Sequence, residues 1–105
     1  MQLSEAELKQ FDEEGYLFFP ERFTSVEARI LKSAADDVYQ LEREEVWRES
    51  SGVARTAFAA HQYNDTMGRL GAHPRLLEPV MQLVDGPVYM HQYKVNMKAA
   101  FDGDV

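Results

Sequence analysis

The sequence predicts an α+β fold. Two helix starts in the first thirty residues carry capping signatures, and the last segment, from Val88 to about Phe101, alternates apolar and polar residues like a strand with one buried face. Between them His73-Pro74 opens a further helix with proline at its first helical position. No internal repeat or low-complexity tract divides the chain, so residues 1–105 are read as a single unit.

Ser4 and Glu7 have the spacing of a capping box, in which each side chain satisfies a backbone N–H at the other's end of the turn, and Leu3 with Leu8 forms a hydrophobic staple. Leu8 and Phe11 continue the apolar stripe, and Gly15 is the expected left-handed stop. The aromatic run Tyr16-Leu17-Phe18-Phe19, closed by Pro20, predicts a short strand. Thr24 and Glu27 repeat the capping box. They open a long helix whose Ile30, Leu31, Ala34, Ala35, Val38 and Leu41 face the core, with Arg29, Lys32, Asp36, Asp37 and Glu42 in solvent. Residues 42–52, charged and ending in Ser-Ser-Gly, read as a fraying helix end and loop. Val53 to Ala60 alternates weakly, as a strand does, and Asn64-Asp65 reads as a cap or turn. The helix begun at Pro74 runs through Leu76, Leu77, Val80, Met81, Leu83 and Val84. Pro79 is expected to kink it, and Asp85-Gly86-Pro87 to end it.

Composition excludes several functions. The formal net charge is −7, from 11 basic and 18 acidic residues, and polyanions reward clustered Lys and Arg, so nucleic acid and anionic membranes are poor partners. The acidity is local. Residues 1–50 hold 13 acidic and 6 basic side chains, and residues 51–105 hold 5 of each. With no cysteine there are no disulfides, thiolate metal sites or cysteine nucleophiles. The polar, acidic N-terminus is unlike a signal peptide, no run approaches the roughly 20 apolar residues of a membrane span, and a cytoplasmic protein is expected. The serines fall at caps, on helix surface or in loops, and no G-x-S-x-G, H-x-D or H-E-x-x-H occurs. His61, His73 and His91 are each read as satisfied structural histidines, His91 on the apolar face of the last strand.

That strand is the most informative segment. Tyr89, His91, Tyr93, Val95, Met97, Ala99 and Phe101 point one way, and Gln92, Lys94, Asn96 and Lys98 the other. From Gln92 to Lys98 the row spans about 20 Å at roughly 3.3 Å per residue. Such a face ordinarily meets water. Two amides and two ammonium groups without a carboxylate, in an acidic chain, would also suit a small anion.

Five motifs carry a resemblance: L-S-x-x-E-L-x-x-F-x-x-x-G-Y-L-F-F-P (Leu3 to Pro20), F-T-S-x-E-A (Phe23 to Ala28), R-T-A-F-A-A-H (Arg55 to His61), H-P-R-L-L (His73 to Leu77) and V-Y-M-H-Q-Y-K-V-N-M-K-A-A-F-D-G (Val88 to Gly103). Together they resemble the N-terminal part of the phytanoyl-CoA dioxygenase family, in its ectoine-hydroxylase-like branch. The resemblance implies N-terminal helices plus the first strands of a double-stranded β-helix, or jelly roll, with the barrel incomplete in this chain. It implies an Fe(II)/2-oxoglutarate-dependent hydroxylase that acts on a small organic substrate and releases succinate and CO₂. By motif position Lys98 contacts 2-oxoglutarate, Asn96 orients it and Gln92 contacts the prime substrate. The family's H-x-D iron ligands follow the A-F-D-G segment and its last histidine lies far downstream, so no metal residue is assigned here and the isolated chain is expected to be inactive. The alternative is a non-catalytic acidic interaction module derived from such an enzyme. In either case strand 88–101 would present an unpaired edge, from which self-association is expected. Arg55 lies in one of the motifs, and its role, structural or catalytic, is open.

Overall fold

The computed structural model describes residues 2–98. Helices α1 (Glu5–Glu14) and α2 (Ser25–Tyr39) are followed by strands β1 (Val46–Arg48) and β2 (Ala54–Phe58), and a 3₁₀ turn (Ala60–Gln62) leads to α3 (Asp65–Gly71), α4 (Pro74–Val84) and β3 (Lys94–Asn96). The described residues are thus α+β, with one open antiparallel sheet in the order β1-β2-β3.

The capped helices form as the spacing predicts. Ser4 and Thr24 each accept from the backbone N–H of the glutamate three residues on, and Glu7 and Glu27 each accept from the cap's own N–H. Gly15 ends α1 at φ 83°, and Asn64 caps α3. His73 caps α4 through Nδ1, which accepts from the Arg75 N–H at 3.1 Å. Helix α4 continues through the buried Pro79 and ends at Asp85, itself left-handed at φ 55°. Leu3, buried ahead of α1, exchanges backbone hydrogen bonds with the Gln82 amide of α4, N–H to Oε1 at 2.7 Å and Nε2 to carbonyl at 3.3 Å.

The core lies between one face of the sheet and helices α2 and α3. Val46, Ala57 and Val95 stand opposite one another across the three strands and share that face. Val46 and Ala57 pack with Ala34, Val38 and Tyr39 of α2 and Met67 of α3, and Tyr93, Val95 and Met97 close the cluster. Burial of this apolar surface is the main stabilising term in a domain of this size.

Three expectations are corrected. Residues 16–19 form no strand and join no ladder, and Tyr16 and Phe18 are 61% and 78% exposed. Strand propensity does not make a strand where no partner offers its N–H and C=O groups. Second, residues 42–52 contain β1. It turns back into β2 through a tight loop in which Glu49 N–H donates to Val53 O (2.8 Å), Gly52 N–H donates to Glu49 O (2.9 Å), and Gly52 takes φ 93°. Its charge hid it, because an edge strand buries only Val46 and leaves Trp47 and Arg48 in solvent. Third, the last strand is shorter than the span 88–101. Among the described residues ladder bonds run from Tyr93, whose carbonyl accepts from Ala59 N–H, to Met97, whose N–H donates to Arg55 O. Tyr89 and His91 are exposed rather than inward. Ala99 and Phe101 lie outside the described residues.

An arginine clasp ties the start of α4 to the segment before α2. Arg22 donates from Nε and Nη2 to the Arg75 carbonyl (3.0 and 2.7 Å), and Arg75 returns Nη1 to the Arg22 carbonyl (3.1 Å) while gripping the Glu27 carboxylate with both Nη groups. Their guanidinium groups lie over Phe19 and Phe23. The Arg75 hydrogen bonds hold the Glu27 carboxyl down at about 2.

Candidate functional site

No described element covers the second face of the sheet, and Lys94 and Asn96 of the polar row lie along it. Trp47 stands opposite Thr56, Thr56 opposite Asn96, and Phe58 opposite Lys94. Inward ladder bonds use residues 93 and 97, so Lys94 and Asn96 occupy the non-hydrogen-bonded positions, where facing side chains come closest. The contacts agree. Thr56 Oγ1 donates to Asn96 Oδ1 at 3.0 Å, Lys94 Nζ stands 5.7 Å from the centre of the Phe58 ring, and Phe58 meets Trp47 edge-on at 5.0 Å. Gln92 precedes the strand by two residues, Lys98 follows it by two, and both are exposed. The alternation therefore carries Lys94 and Asn96 onto one face as expected, with Gln92 and Lys98 just beyond the strand's two ends.

Tyr93 anchors this strand from its other side. Its hydroxyl donates to the Met67 carbonyl at 2.8 Å, its ring stacks on His61 at 4.8 Å, and burial pushes its phenol up. Gly71 keeps room for it, since a Cβ there would come within 3.0 Å of the Tyr93 ring and 3.2 Å of the Met90 methyl. His61 differs from the satisfied histidine expected, because its Nδ1 is buried without a hydrogen-bond partner among the described residues. A cavity of ≈ 330 Å³ opens beside it, lined by Phe58, His61, Met90, His91, Gln92 and Lys94. A larger apolar groove of ≈ 460 Å³, lined in part by Gly71, Leu76, Leu77 and Val80, adjoins it and shares His61 and Met90 with it.

Arg55 Nε lies 3.8 Å from Oε1 of Glu49, the buried acid of the hairpin loop. Asp65 pairs with Arg69 on the surface, and His91 is exposed. Among the described residues no three His, Asp or Glu side chains gather where they could hold a metal ion. These residues do not fit an iron site, so no step through a metal is assigned to them. Sequence reasoning missed Thr56, the arginine clasp and the His61–Tyr93 stack, each a contact across more than thirty residues of chain. Only the register of the strands, absent from a linear reading, would have found Thr56.

No family model matches the chain. It is 32% identical over 95 residues to an L-proline trans-4-hydroxylase of Streptomyces griseoviridis, covering 90% of this chain and 35% of that protein. It is 30% identical over 106 residues to an ectoine dioxygenase of Sphingopyxis alaskensis, covering 96% of this chain and 35% of that one. Among solved structures, EctD from S. alaskensis with 2-oxoglutarate and 5-hydroxyectoine superposes with a TM-score of 0.80 at 27% identity, over 90% of this chain and 35% of that one. The chain spans about a third of the length of the curated relatives it matches, as a resemblance to an N-terminal portion requires. It is homologous to part of the ectoine dioxygenases and of proline 4-hydroxylase, enzymes of the phytanoyl-CoA dioxygenase-like kind that its sequence resembles.

Proposed function

We propose that this chain is the front portion of an Fe(II)/2-oxoglutarate-dependent hydroxylase acting on a small organic substrate, built on a jelly roll whose first strands are β1, β2 and β3. In that reaction 2-oxoglutarate and O₂ yield succinate and CO₂, and one oxygen atom enters a C–H bond of the substrate. The chain's own part is binding and orientation. Lys98 supplies a cation to a 2-oxoglutarate carboxylate, Asn96 orients the same molecule by its amide, and Gln92 contacts the prime substrate. The observation that carries the reading is the row itself, Lys94 and Asn96 on the open face of β3 with Gln92 and Lys98 just beyond its ends and no carboxylate on β2 or β3, in a fold shared with a protein solved with 2-oxoglutarate.

The test is Fe(II)-dependent decarboxylation of 2-oxoglutarate by the whole protein in which this chain occurs. There Lys98→Ala is expected to weaken 2-oxoglutarate binding about ten- to a hundredfold, the equivalent of roughly 1.5–3 kcal/mol for a hydrogen bond to a charged group, with iron binding unchanged. Unchanged affinity would remove Lys98 from the site. No response of the whole protein to 2-oxoglutarate would favour the acidic interaction module. The 105-residue polypeptide by itself is expected to show no turnover.

By itself that polypeptide is also expected to self-associate through the 88–101 segment. β3 is an edge strand, and the N–H and C=O groups of Lys94 and Asn96 point away from β2. Sedimentation at tens of micromolar, about the range in which exposed edges associate, should show species heavier than the monomer; a single monomer boundary would sink the idea.

A further inference from the structure

We infer that Thr56 is the positioning residue for Asn96, fixing which end of its amide faces the anion; the inference rests on the proposed 2-oxoglutarate site. An asparagine amide is nearly symmetric in shape but opposite in chemistry at its two ends, an acceptor oxygen and a donor NH₂. A carboxylate needs the donor, and presenting the oxygen would repel it. The Thr56 hydroxyl donates to Asn96 Oδ1 at 3.0 Å, which engages the acceptor end and leaves the NH₂ as the end to offer a carboxylate. The register makes this bond a fixed feature of the sheet. Thr56 and Asn96 are directly opposed at a non-hydrogen-bonded position, and Ala57 opposite Val95 pins the adjacent pair in the core. Threonine, branched at Cβ, is also stiff at χ1, and Trp47 faces it from β1. The donor is thus oriented before any ligand arrives, and the entropy of orienting it is not lost on binding.

The experiment uses the whole protein with Thr56→Val, Thr56→Ser and Asn96→Ala, reading 2-oxoglutarate affinity by calorimetry, the Asn96 side-chain amide by ¹⁵N NMR, and the urea midpoint. Thr56→Val keeps the shape and the strand preference but removes the hydroxyl. It is expected to weaken 2-oxoglutarate about fivefold, the factor equivalent to about one neutral hydrogen bond, and to collapse the two Asn96 amide proton shifts toward each other in the ligand-free protein. Thr56→Ser should restore both, the urea midpoint should stay in place, and Thr56→Val should add little once Asn96 is alanine. If Asn96→Ala weakens binding and Thr56→Val does not, the positioning role fails while the site stands. If Thr56→Val and Thr56→Ser lower the urea midpoint and the affinity together, the threonine is merely structural and the inference is overturned. If wild type binds no 2-oxoglutarate, or Asn96→Ala binds it normally, the reading of the site fails and takes this inference with it.

Discussion

Val38→Ala is expected to lower the folding stability of the chain by roughly 2–3 kcal/mol, the combined transfer and cavity cost of deleting two buried methyl groups. Val38 is the one large side chain among the described residues that is fully buried, at 0% exposure, and it sits where α2 meets the sheet and Met67 of α3. Four of the seven other buried members of its cluster are alanines, Ala34, Ala54, Ala57 and Ala60, whose single methyl groups can do little to refill the vacated space. A domain of this length has about 5–15 kcal/mol in total, so the loss is a large fraction and reads directly as a fall in the urea midpoint. Ile30 belongs to the same helical stripe, two turns earlier, yet is 54% exposed. Ile30→Ala should therefore cost less than about 1 kcal/mol, by the area it fails to bury. Equal losses for the two substitutions would show that α2 packs along its whole stripe and not at its C-terminal half.

That contrast marks what a linear reading can and cannot resolve. The periodicity of α2 names the face that turns inward, and the capping boxes at Ser4 and Thr24 are legible because every atom involved lies within four residues. How far along the stripe burial extends depends on where the sheet stops, which no local pattern contains. Strands are less legible for the same reason. Residues 16–19 have the aromatic content of a strand and lack a partner, while β1 looks like a charged loop and has one in β2. Alternation in the last segment assigns Tyr93, Val95 and Met97 to the core and Lys94 and Asn96 to the open face, but it cannot show that the ladder ends near Tyr93. The polar row was therefore readable as a row. Its supporting contacts, Thr56 across the ladder and His61 beneath Tyr93, depend on register and on the path of the 3₁₀ turn.

Tyr93→Ala should be the most damaging change near the site without touching a ligand. The ring is half-buried, stacks on His61 and fills the space that Gly71 leaves open, and its hydroxyl donates to Met67 O. Truncation removes about 3 kcal/mol, at the lower end of the range for a large aromatic because part of the ring is already in solvent. Tyr93→Phe removes only the hydroxyl and leaves the Met67 carbonyl without that donor, about 1 kcal/mol. The two substitutions separate scaffold from contact. The amides of Ala59 and Met97 bridge β2 to the 93–97 segment, so their hydrogen-exchange protection should fall steeply in Tyr93→Ala, modestly in Tyr93→Phe and not at all in Lys98→Ala. In the whole protein, 2-oxoglutarate affinity should fall in Tyr93→Ala as well, although this side chain faces the core, because the strand carrying Lys94 and Asn96 loses its anchor. Loss of affinity with full protection of both amides would instead place Tyr93 in contact with the ligand, and full protection with unchanged affinity would mean that the ladder to β2 alone holds the strand.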